Sequence, residues 1–336
     1  MNVAQGENLS PDTLSRWRQF HRAMLRIRLF EDAAVKALQE KLVPGPVHPS
    51  TGQEAVAVGV CANLNRTDIL LSTHRGHGHT LAKGADLQPM MLELFGKQGG
   101  YCRGKGGSMH IADFSVGMLG ANGVVAANIV IAVGAAHAIK LRKSNEIVTC
   151  FFGDGAINRG PFLEGLNWAR VFDLPVLFVC EDNSYSASTR THEMTAGKGA
   201  SARAASMDIP TAEVDGNDVV AVDDAAALLV DEIRAGKGPR FLHARTYRLT
   251  GHTAADAAPY RPQSELDEGL LREPIRRLAA RLMDAGVTSE ELSAVADHVR
   301  REVDEAYENA KSASYPDVSV AFEDVQDIGD PRLEAF

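Results

Sequence analysis

Two continuous apolar runs constrain the fold of this 336-residue chain more than any other feature. Residues 147–152 read Ile-Val-Thr-Cys-Phe-Phe, and residues 175–180 read Pro-Val-Leu-Phe-Val-Cys. Because the apolar residues are continuous rather than alternating, we predict strands buried on both faces, as in a parallel sheet covered by helices. A helical pattern over residues 162–172 joins the two runs, and parallel neighbours require such a crossover.

Polar residues follow each predicted strand where it ends. Gly153, Asp154 and Gly155 follow the first run, and Asn183 lies in the polar stretch 181–185 that follows the second. Doubly wound sheets bind ligands beyond the carboxyl ends of their strands. Mg²⁺ prefers oxygen ligands such as these and usually keeps substrate phosphates among them. The pattern therefore favours a metal-diphosphate site, although a Gly-Asp-Gly stretch alone is also typical of a plain turn.

The remaining patterns predict alternating helices and strands. Helices are predicted over about 11–42, 53–64, 89–95, 124–143 and 218–235, and strands over 68–72, 211–214 and 240–247. A loop dense in glycine and histidine follows residue 72, residues 96–123 are glycine-rich and nearly aperiodic, and the last hundred residues read as charged amphipathic helices. We predict an α/β fold with a doubly wound, mainly parallel sheet and helical N- and C-terminal additions. It forms a single domain over residues 1–315, followed by a tail over 316–336.

Charge and composition exclude several classes of protein. A formal net charge of -9 argues against a nucleic-acid binder, whose footprint is basic. The longest apolar run, residues 124–139, is interrupted by polar residues and glycine and falls short of the roughly 20 residues of a membrane span. The first residues lack the regions of a signal peptide, and the four cysteines form no CxxC pair. We therefore expect a cytoplasmic protein with no nucleic-acid or membrane partner.

Several histidines are candidates for chemistry. Residues 74–79 contain three histidines and Arg75, which suits bidentate binding of an anion. Zinc is conceivable there, but the arginine would repel a cation, and a solvated polar loop is an equally good interpretation. His48 and His252 lie on predicted loops, where an imidazole near its ordinary pKa can transfer a proton or simply hydrogen-bond to the loop.

Two other glycine patterns indicate nucleotide sites only weakly. Residues 99–105 match the first part of a P-loop, but Gly106 stands where the metal-binding Ser or Thr belongs, and no strand precedes it. The stretch that begins at Gly153 lacks the third glycine of a dinucleotide fingerprint, because Asn158 occupies that position.

The order of several separated motifs resembles one known family. The motifs are Gly-Gln-Glu-Ala at 52–55, His-Arg-Gly-His-Gly at 74–78, Gly-Lys-Gly-Gly-Ser-Met-His at 104–110, Gly-Ala-Asn-Gly-Val-Val at 120–125, Gly-Asp-Gly at 153–155, Glu-Asp-Asn at 181–183, Val-Asp-Gly-Asn-Asp at 214–218, Thr-Tyr-Arg at 246–248 and Gly-His at 251–252. The chain resembles the alpha subunit of the thiamine-diphosphate-dependent component of 2-oxo acid dehydrogenase complexes. Within that family, residues 72–79 and 118–123 are most similar to acetoin dehydrogenase alpha subunits. The resemblance implies a sheet of the thiamine-diphosphate-binding type.

The resemblance also implies roles for individual residues. Asp154, Asn183 and the backbone carbonyl of Tyr185 would bind Mg²⁺, and the backbones of Gly123 and Val125 would meet the aminopyrimidine of thiamine diphosphate. The diphosphate would be held by Arg75, by His74 and by the amides of Gly155 and Ala156. His48 and His252 would face the thiazolium and assist the chemistry. Asp182 stands where the family usually has asparagine, and it is not an expected ligand.

The implied activity needs other proteins. The family cleaves a small carbonyl substrate, acetoin or a 2-oxo acid, and passes the acyl unit to a lipoyl group on an acyltransferase component. Its activating glutamate belongs to a separate beta subunit, so the resemblance implies an α2β2 heterotetramer in which this chain alone is inactive. Three alternatives remain: a pyruvate or branched-chain 2-oxo acid dehydrogenase alpha subunit, a thiamine-dependent lyase or transferase without lipoyl coupling, and a non-catalytic paralogue.

Overall fold

The structure is a computed structural model that describes residues 9–323. The described residues contain these strands: β1 (Ile69–Thr73), β2 (Met118–Asn122), β3 (Val148–Gly153), β4 (Val176–Asp182), β5 (Tyr185–Ser186), β6 (Thr189–Arg190), β7 (Thr211–Asp215) and β8 (Arg240–Arg245). Six of them form one sheet in the order β2-β1-β3-β4-β8-β7, in which all neighbours are parallel. β5 and β6 form a small antiparallel pair.

Helices cover both faces of the sheet and form both ends of the described chain. They are α1 (Pro11–Gln39), α2 (Glu54–Cys61), α3 (Gly76–Ala82), α4 (Leu87–Leu94), α5 (Ala127–Arg142), α6 (Gly160–Val171), α7 (Thr191–Met194), α8 (Ala200–Ala205), α9 (Val219–Arg234), α10 (Gln263–Leu271), α11 (Pro274–Asp284) and α12 (Ser289–Ser312). The predicted α/β architecture with helical additions is confirmed.

The apolar runs are continuous because the sheet has a hydrophobic core on each face. Phe151 of β3 joins the cluster beneath α1, α2, α9, α11 and α12, whereas its neighbour Phe152 joins the cluster beneath α5, α6 and α8. Both phenylalanines are fully buried, so truncating either to alanine should cost about 3–5 kcal/mol. The register aligns Gly153 with Glu181 and Asp182 with Arg245, so β3, β4 and β8 end at one edge of the sheet.

The histidine-rich segment after β1 is a helix, and the prediction of a loop there was wrong. Two glycines in seven residues weaken the local helical signal. Contacts with the sheet stabilise the helix instead: His79 Nδ1 lies 2.7 Å from Ser72 Oγ of β1, and His79 Nε2 lies 3.2 Å from Glu181 Oε1 of β4. A Cβ at Gly76 would lie 2.7 Å from that of Ala121, so only glycine allows α3 to cross β2 this closely. His77 and His79 are buried, which excludes a solvated loop.

Strand β2 lies in the segment that we predicted to be aperiodic. It pairs in parallel with β1 at the edge of the sheet. Only Met118 and Ala121 of its five residues are buried, and Leu119 is exposed, so neither a continuous nor an alternating apolar pattern marks it.

The predicted C-terminal tail is described as far as residue 323. Its residues 318–322 form a 3-10 turn, and Glu323 pairs with Arg103 at 2.7 Å. Residues 324–336 of the predicted tail and residues 1–8 of the predicted domain lie outside the described residues. Among the described helices, none combines the length and apolar character needed to cross a membrane.

Candidate active site

A cavity of about 230 Å³, open to solvent, lies at the carboxyl edge of the sheet. All eleven site residues predicted from the sequence line it: His48, His74, Arg75, Gly123, Val125, Asp154, Gly155, Ala156, Asn183, Tyr185 and His252. They come from six separate stretches of the chain, which the parallel strands bring together at one edge. Their placement is an observation, and their roles remain predictions.

Asp154 and Asn183 form an oxygen-rich end of the cavity. Asp154 begins the turn after β3, Asn183 follows β4 directly, and the two residues are only 3% and 6% exposed. The Asn183 amide is oriented by two hydrogen bonds: Oδ1 accepts from the Tyr185 backbone amide at 3.1 Å, and Nδ2 donates to Gln53 Oε1 at 2.7 Å. The Thr191 hydroxyl donates to Asp154.

Among the described residues, no basic side chain forms an ion pair with Asp154. Burial and the neighbouring Asp182 raise the pKa of the Asp154 carboxyl. Burial also acts on Asp182, but its hydrogen bonds with His243 Nε2, at 2.8 Å, and with the Ser184 backbone amide, at 3.0 Å, together outweigh burial, and the pKa of Asp182 is lowered. A bound cation at Asp154 would relieve the cost of holding a buried carboxylate beside a second one.

Arg75 forms a cationic end of the cavity. Its Nη1 donates to the carbonyl oxygen of Pro49 at 2.6 Å, and its Nη2 donates to both Nδ1 and the carbonyl oxygen of His252, at 3.0 and 2.9 Å. Burial and the nearby Arg248 lower the pKa of Arg75 to about 9, so it stays charged at neutral pH. A guanidinium has five N–H donors, and three hydrogen bonds leave donors for an anion.

Three imidazoles lie beside Arg75. The ring centroid of His48 is 4.8 Å from that of His74 and 5.1 Å from that of His252. Burial, and then Arg75, lower the pKa of His48 to about 3, that of His74 to about 2 and that of His252 to about 4. All three rings are therefore neutral at neutral pH. His48 Nδ1 and His74 Nε2 are buried without a hydrogen-bond partner, so the rings have capacity for a ligand.

The histidine cluster has some features of a metal site. One nitrogen from each ring can be chosen so that all three lie within 4.8 Å of one another, as a zinc site would require. Two facts oppose a dication there: Arg75 donates to His252, and Arg248 lines the same cavity. The charge of this end favours an anion.

Sequence reasoning missed Gln53 and Arg248, which also line the cavity. The Gln53 side chain orients Asn183 by accepting its hydrogen bond. Nothing about a glutamine at the start of α2 indicates such a role from the sequence. Arg248 is 1% exposed and lies just beyond β8. The rule that ligands bind beyond strand ends could have found it, because Arg248 follows the strand neighbouring β4.

Lowering the pH should destabilise the folded protein because these histidines become protonated on unfolding. The loss of stability should be smaller when His48 is replaced. Between pH 6.5 and about 3, the unfolded chain binds a proton at His48 that the folded chain does not, because the folded pKa is lowered. The free energy of unfolding contributed by this group therefore falls as the pH falls through that window. We expect His48→Asn to reduce the drop in melting temperature between pH 7 and pH 5 by about 2 °C. The matched control is the exposed His298→Asn, and an unreduced drop in His48→Asn would contradict the lowered pKa.

Comparison with known families identifies the chain. The model of the dehydrogenase E1 component family matches residues 22–319. The chain belongs to this family. It is 42% identical to the alpha subunit of acetoin:2,6-dichlorophenolindophenol oxidoreductase from Bacillus subtilis, over 91% of this chain and 92% of that protein. It is 44% identical to the subunit of the same name from Cupriavidus necator, over 88% and 90% of the two chains.

Pyruvate-type relatives are also similar. The pyruvate dehydrogenase E1 component subunit alpha of Zymomonas mobilis is 39% identical over 89% of this chain and 85% of that protein. The resemblance inferred from the sequence motifs is thus confirmed, and its acetoin-type relatives show higher identity than this pyruvate-type one.

Proposed function

We propose that this chain is the alpha subunit of a thiamine-diphosphate-dependent enzyme that cleaves acetoin or a 2-oxo acid. One observation carries the proposal: a single cavity is lined by two buried side chains with carboxylate or amide oxygens and by a buried arginine with three neutral imidazoles. A magnesium diphosphate requires both kinds of group. The acetoin-type relatives, which are alpha subunits of acetoin oxidoreductases by name, support acetoin as the first substrate to test.

The oxygen-rich end fits Mg²⁺ and a diphosphate. Asp154, the Oδ1 atom of Asn183 and the backbone carbonyl of Tyr185 would supply hard oxygen ligands, and the burial of Asp154 beside Asp182 favours a cation. A Cβ at Gly155 would lie 2.4 Å from Ser186 Oγ, so glycine is required there. The amides of Gly155 and Ala156 would meet the diphosphate together with Arg75 and His74.

The aminopyrimidine of the cofactor would bind against another part of the cavity lining. The backbones of Gly123 and Val125 would meet the aminopyrimidine, and a Cβ at Gly123 would lie 3.4 Å from the ring of His110. Thiamine diphosphate supplies a nucleophilic thiazolium carbon and an electron sink for the cleaved carbon–carbon bond. The chain's own contribution is to bind the cofactor, to exclude water and to hold protons near the substrate.

His252 would act as a proton donor. Arg75 donates to its Nδ1, so the ring proton of the neutral imidazole resides on Nε2. That N–H can donate to a carbonyl or alkoxide oxygen of a substrate. His48 is neutral as well, and its Nδ1 has no hydrogen-bond partner among residues 9–323, so it can take up or release a proton in the same cavity.

We further propose that a beta subunit completes the site in an α2β2 heterotetramer and that the acyl unit passes to a lipoyl-bearing acyltransferase component. The alpha-subunit names of the relatives support a beta partner. Exposed apolar side chains run from the mouth of the cavity onto α5 and α6: Val124, Val125, Val130, Ile131, Leu141, Leu163, Trp168, Val171 and Phe172. Such a concentration of apolar side chains is typical of an interface. We place the assembly in the cytoplasm, where its free thiols would stay reduced.

Replacing Trp168 should break this assembly. Its indole is 48% exposed, donates to His137 Nδ1 and packs against Phe172, so it has the character of an interface hot spot. We expect Trp168→Arg to lower co-purification of a tagged beta subunit at least 10-fold. The matched control is Leu228→Arg on α9, which covers the other face of the sheet and should leave assembly intact. Full assembly of Trp168→Arg would place the interface elsewhere.

The function is tested by co-expressing the chain with its beta subunit and supplying thiamine diphosphate and Mg²⁺. Reduction of 2,6-dichlorophenolindophenol is followed with acetoin, pyruvate and branched 2-oxo acids. We expect activity with acetoin, dependent on both cofactors and absent from the isolated chain. A preference for a 2-oxo acid would show that the substrate is not acetoin, and it would leave the proposed site unchanged. Activity of the isolated chain would contradict the shared site, and cofactor binding without any acceptor reduction would indicate a lyase or transferase.

A further inference from the structure

Glu31 of α1 is a buried carboxylate that does not line the cavity yet binds a segment that does. Its side chain is 0% exposed. Its carboxylate accepts hydrogen bonds from Ser50. The Ser50 backbone amide lies 2.9 Å from Oε1 and 2.8 Å from Oε2, and Ser50 Oγ donates to Oε1 at 2.9 Å. Hydrogen bonds to a carboxylate are stronger than those between neutral groups, so this contact fixes Ser50 firmly.

Ser50 lies two residues after His48, and the segment between them is held at a second point. The carbonyl oxygen of Pro49 accepts from Arg75 Nη1 at 2.6 Å. Glu31 and Arg75 therefore both hold residues 48–50, one through the amide and hydroxyl of Ser50 and the other through the carbonyl of Pro49. His48 itself has no hydrogen bond at its buried Nδ1, so its position depends on the backbone that carries it.

Glu31 also lies near a second polar group. His77 Nδ1 is 3.6 Å from Glu31 Oε1, and His77 Nε2 is 3.0 Å from Ser108 Oγ. The sequence serine–histidine–glutamate is the order of a hydrolase triad. Ser108, however, is buried and does not line the cavity, so it cannot meet a substrate. The arrangement is therefore structural and joins α1 and α3 to the segment that carries the cavity residue Met109.

We propose that Glu31 is a positioning residue for His48. The proposal rests on the proposed function, since it takes His48 to face the substrate. In Glu31→Gln, one carboxylate oxygen becomes an NH₂ group, which cannot accept from Ser50. The segment 48–50 would then shift, while Arg75 would keep its bonds to His252. The effect should appear in the chemical step rather than in cofactor affinity.

The test uses the co-expressed alpha–beta pair. For Glu31→Gln we expect kcat to fall about 10-fold or more, with the Kd for thiamine diphosphate within about 3-fold of wild type. The matched control is Asp32→Asn, which removes the same charge at an exposed neighbouring position and should keep wild-type kcat. A kcat within 2-fold of wild type would overturn the proposal. So would a fall in kcat that matches a loss of cofactor affinity or of folded protein.

A double-mutant cycle separates positioning from a general structural effect. In a His48→Ala background, Glu31→Gln should lower kcat by less than 2-fold, because the group that it positions is gone. An undiminished effect in that background would overturn the proposal. Should Glu31→Gln not fold, Ser50→Ala removes one of the hydrogen bonds and should lower kcat about 3-fold, again only when His48 is present.

A structural readout distinguishes failure of this inference from failure of the proposed function. Crystal structures of the wild-type and Glu31→Gln pairs need no substrate. We expect the His48 ring to move by more than about 1 Å, and an unmoved ring would overturn the inference. If the wild-type pair were inactive but the His48 ring were displaced in the variant, the proposed function would be rejected. The inference that Glu31 positions His48 would still stand.

Discussion

Replacing Asp154 by alanine should weaken binding of thiamine diphosphate at least 100-fold in the presence of Mg²⁺. Asp154 is the anionic residue among the three proposed metal ligands, and its carboxylate is buried at the end of β3. Without it the metal would be left with neutral oxygens, and the diphosphate would lose the cation that neutralises its charge. The measurement is a calorimetric titration of the co-expressed pair with the cofactor at fixed Mg²⁺.

Asp182→Asn is the matched control for this prediction. It removes a carboxylate beside Asp154 but none of the proposed ligands, and it introduces the residue that the family usually has there. Since Asp182 forms a hydrogen bond with His243, the variant alters one hydrogen bond and should stay within about 5-fold of wild-type affinity. Equal losses in both variants would show that the negative charge of the region, rather than ligation by Asp154, governs binding.

Arg75→Met should weaken binding of thiamine diphosphate about 10- to 100-fold and should also lower kcat. The proposed contact supplies at least one charge-assisted hydrogen bond to the diphosphate, worth about 1.5–3 kcal/mol. The loss in kcat has a second cause: His252 would lose the donor that fixes its tautomer. Titration gives the affinity, and steady-state rates at saturating cofactor give kcat.

Arg159→Met is the control for Arg75→Met. Arg159 is exposed, follows the turn after β3 and does not line the cavity. The Arg159→Met variant should bind thiamine diphosphate with wild-type affinity. If Arg75→Met kept wild-type affinity for thiamine diphosphate and weakened only kcat, Arg75 would serve His252 alone and the diphosphate would be held by other groups.

The sequence predicted the strand ends of the site well because the apolar runs are unambiguous. Residues 147–152 and 175–180 are buried on both faces, and a continuous run of that kind has few alternatives to a central parallel strand. Once β3 and β4 are neighbours, Asp154 and Asn183 must lie at one edge of the sheet. The proposal of these two residues as metal ligands followed from this geometry before any family was considered.

The histidine end could not be derived from spacing. His48 and His252 are far apart in sequence, and Arg75 links their segments through backbone contacts that no local pattern reveals. Only the family resemblance pointed to these two residues. The lowered pKa values likewise come from burial and from Arg75, which are tertiary effects.

Local patterns also failed where tertiary contacts override propensity. Helix α3 contains two glycines, of which Gly76 is needed for its close approach to β2, and these glycines concealed the helix. Glu31 was likewise read as one residue of the amphipathic helix α1. Its partner, Ser50, lies beyond the turn that ends that helix, so only the folded chain shows the contact.

The most direct test of the account is the position of the metal in the co-expressed pair crystallised with thiamine diphosphate and Mn²⁺ in place of Mg²⁺. Mn²⁺ takes the same oxygen ligands and gives an anomalous diffraction signal. We expect one anomalous peak per alpha subunit, from a Mn²⁺ ion bound by Asp154, Asn183 and the carbonyl of Tyr185, with the diphosphate between the ion and Arg75. A peak among His48, His74 and His252, or a cofactor bound outside this cavity, would contradict it.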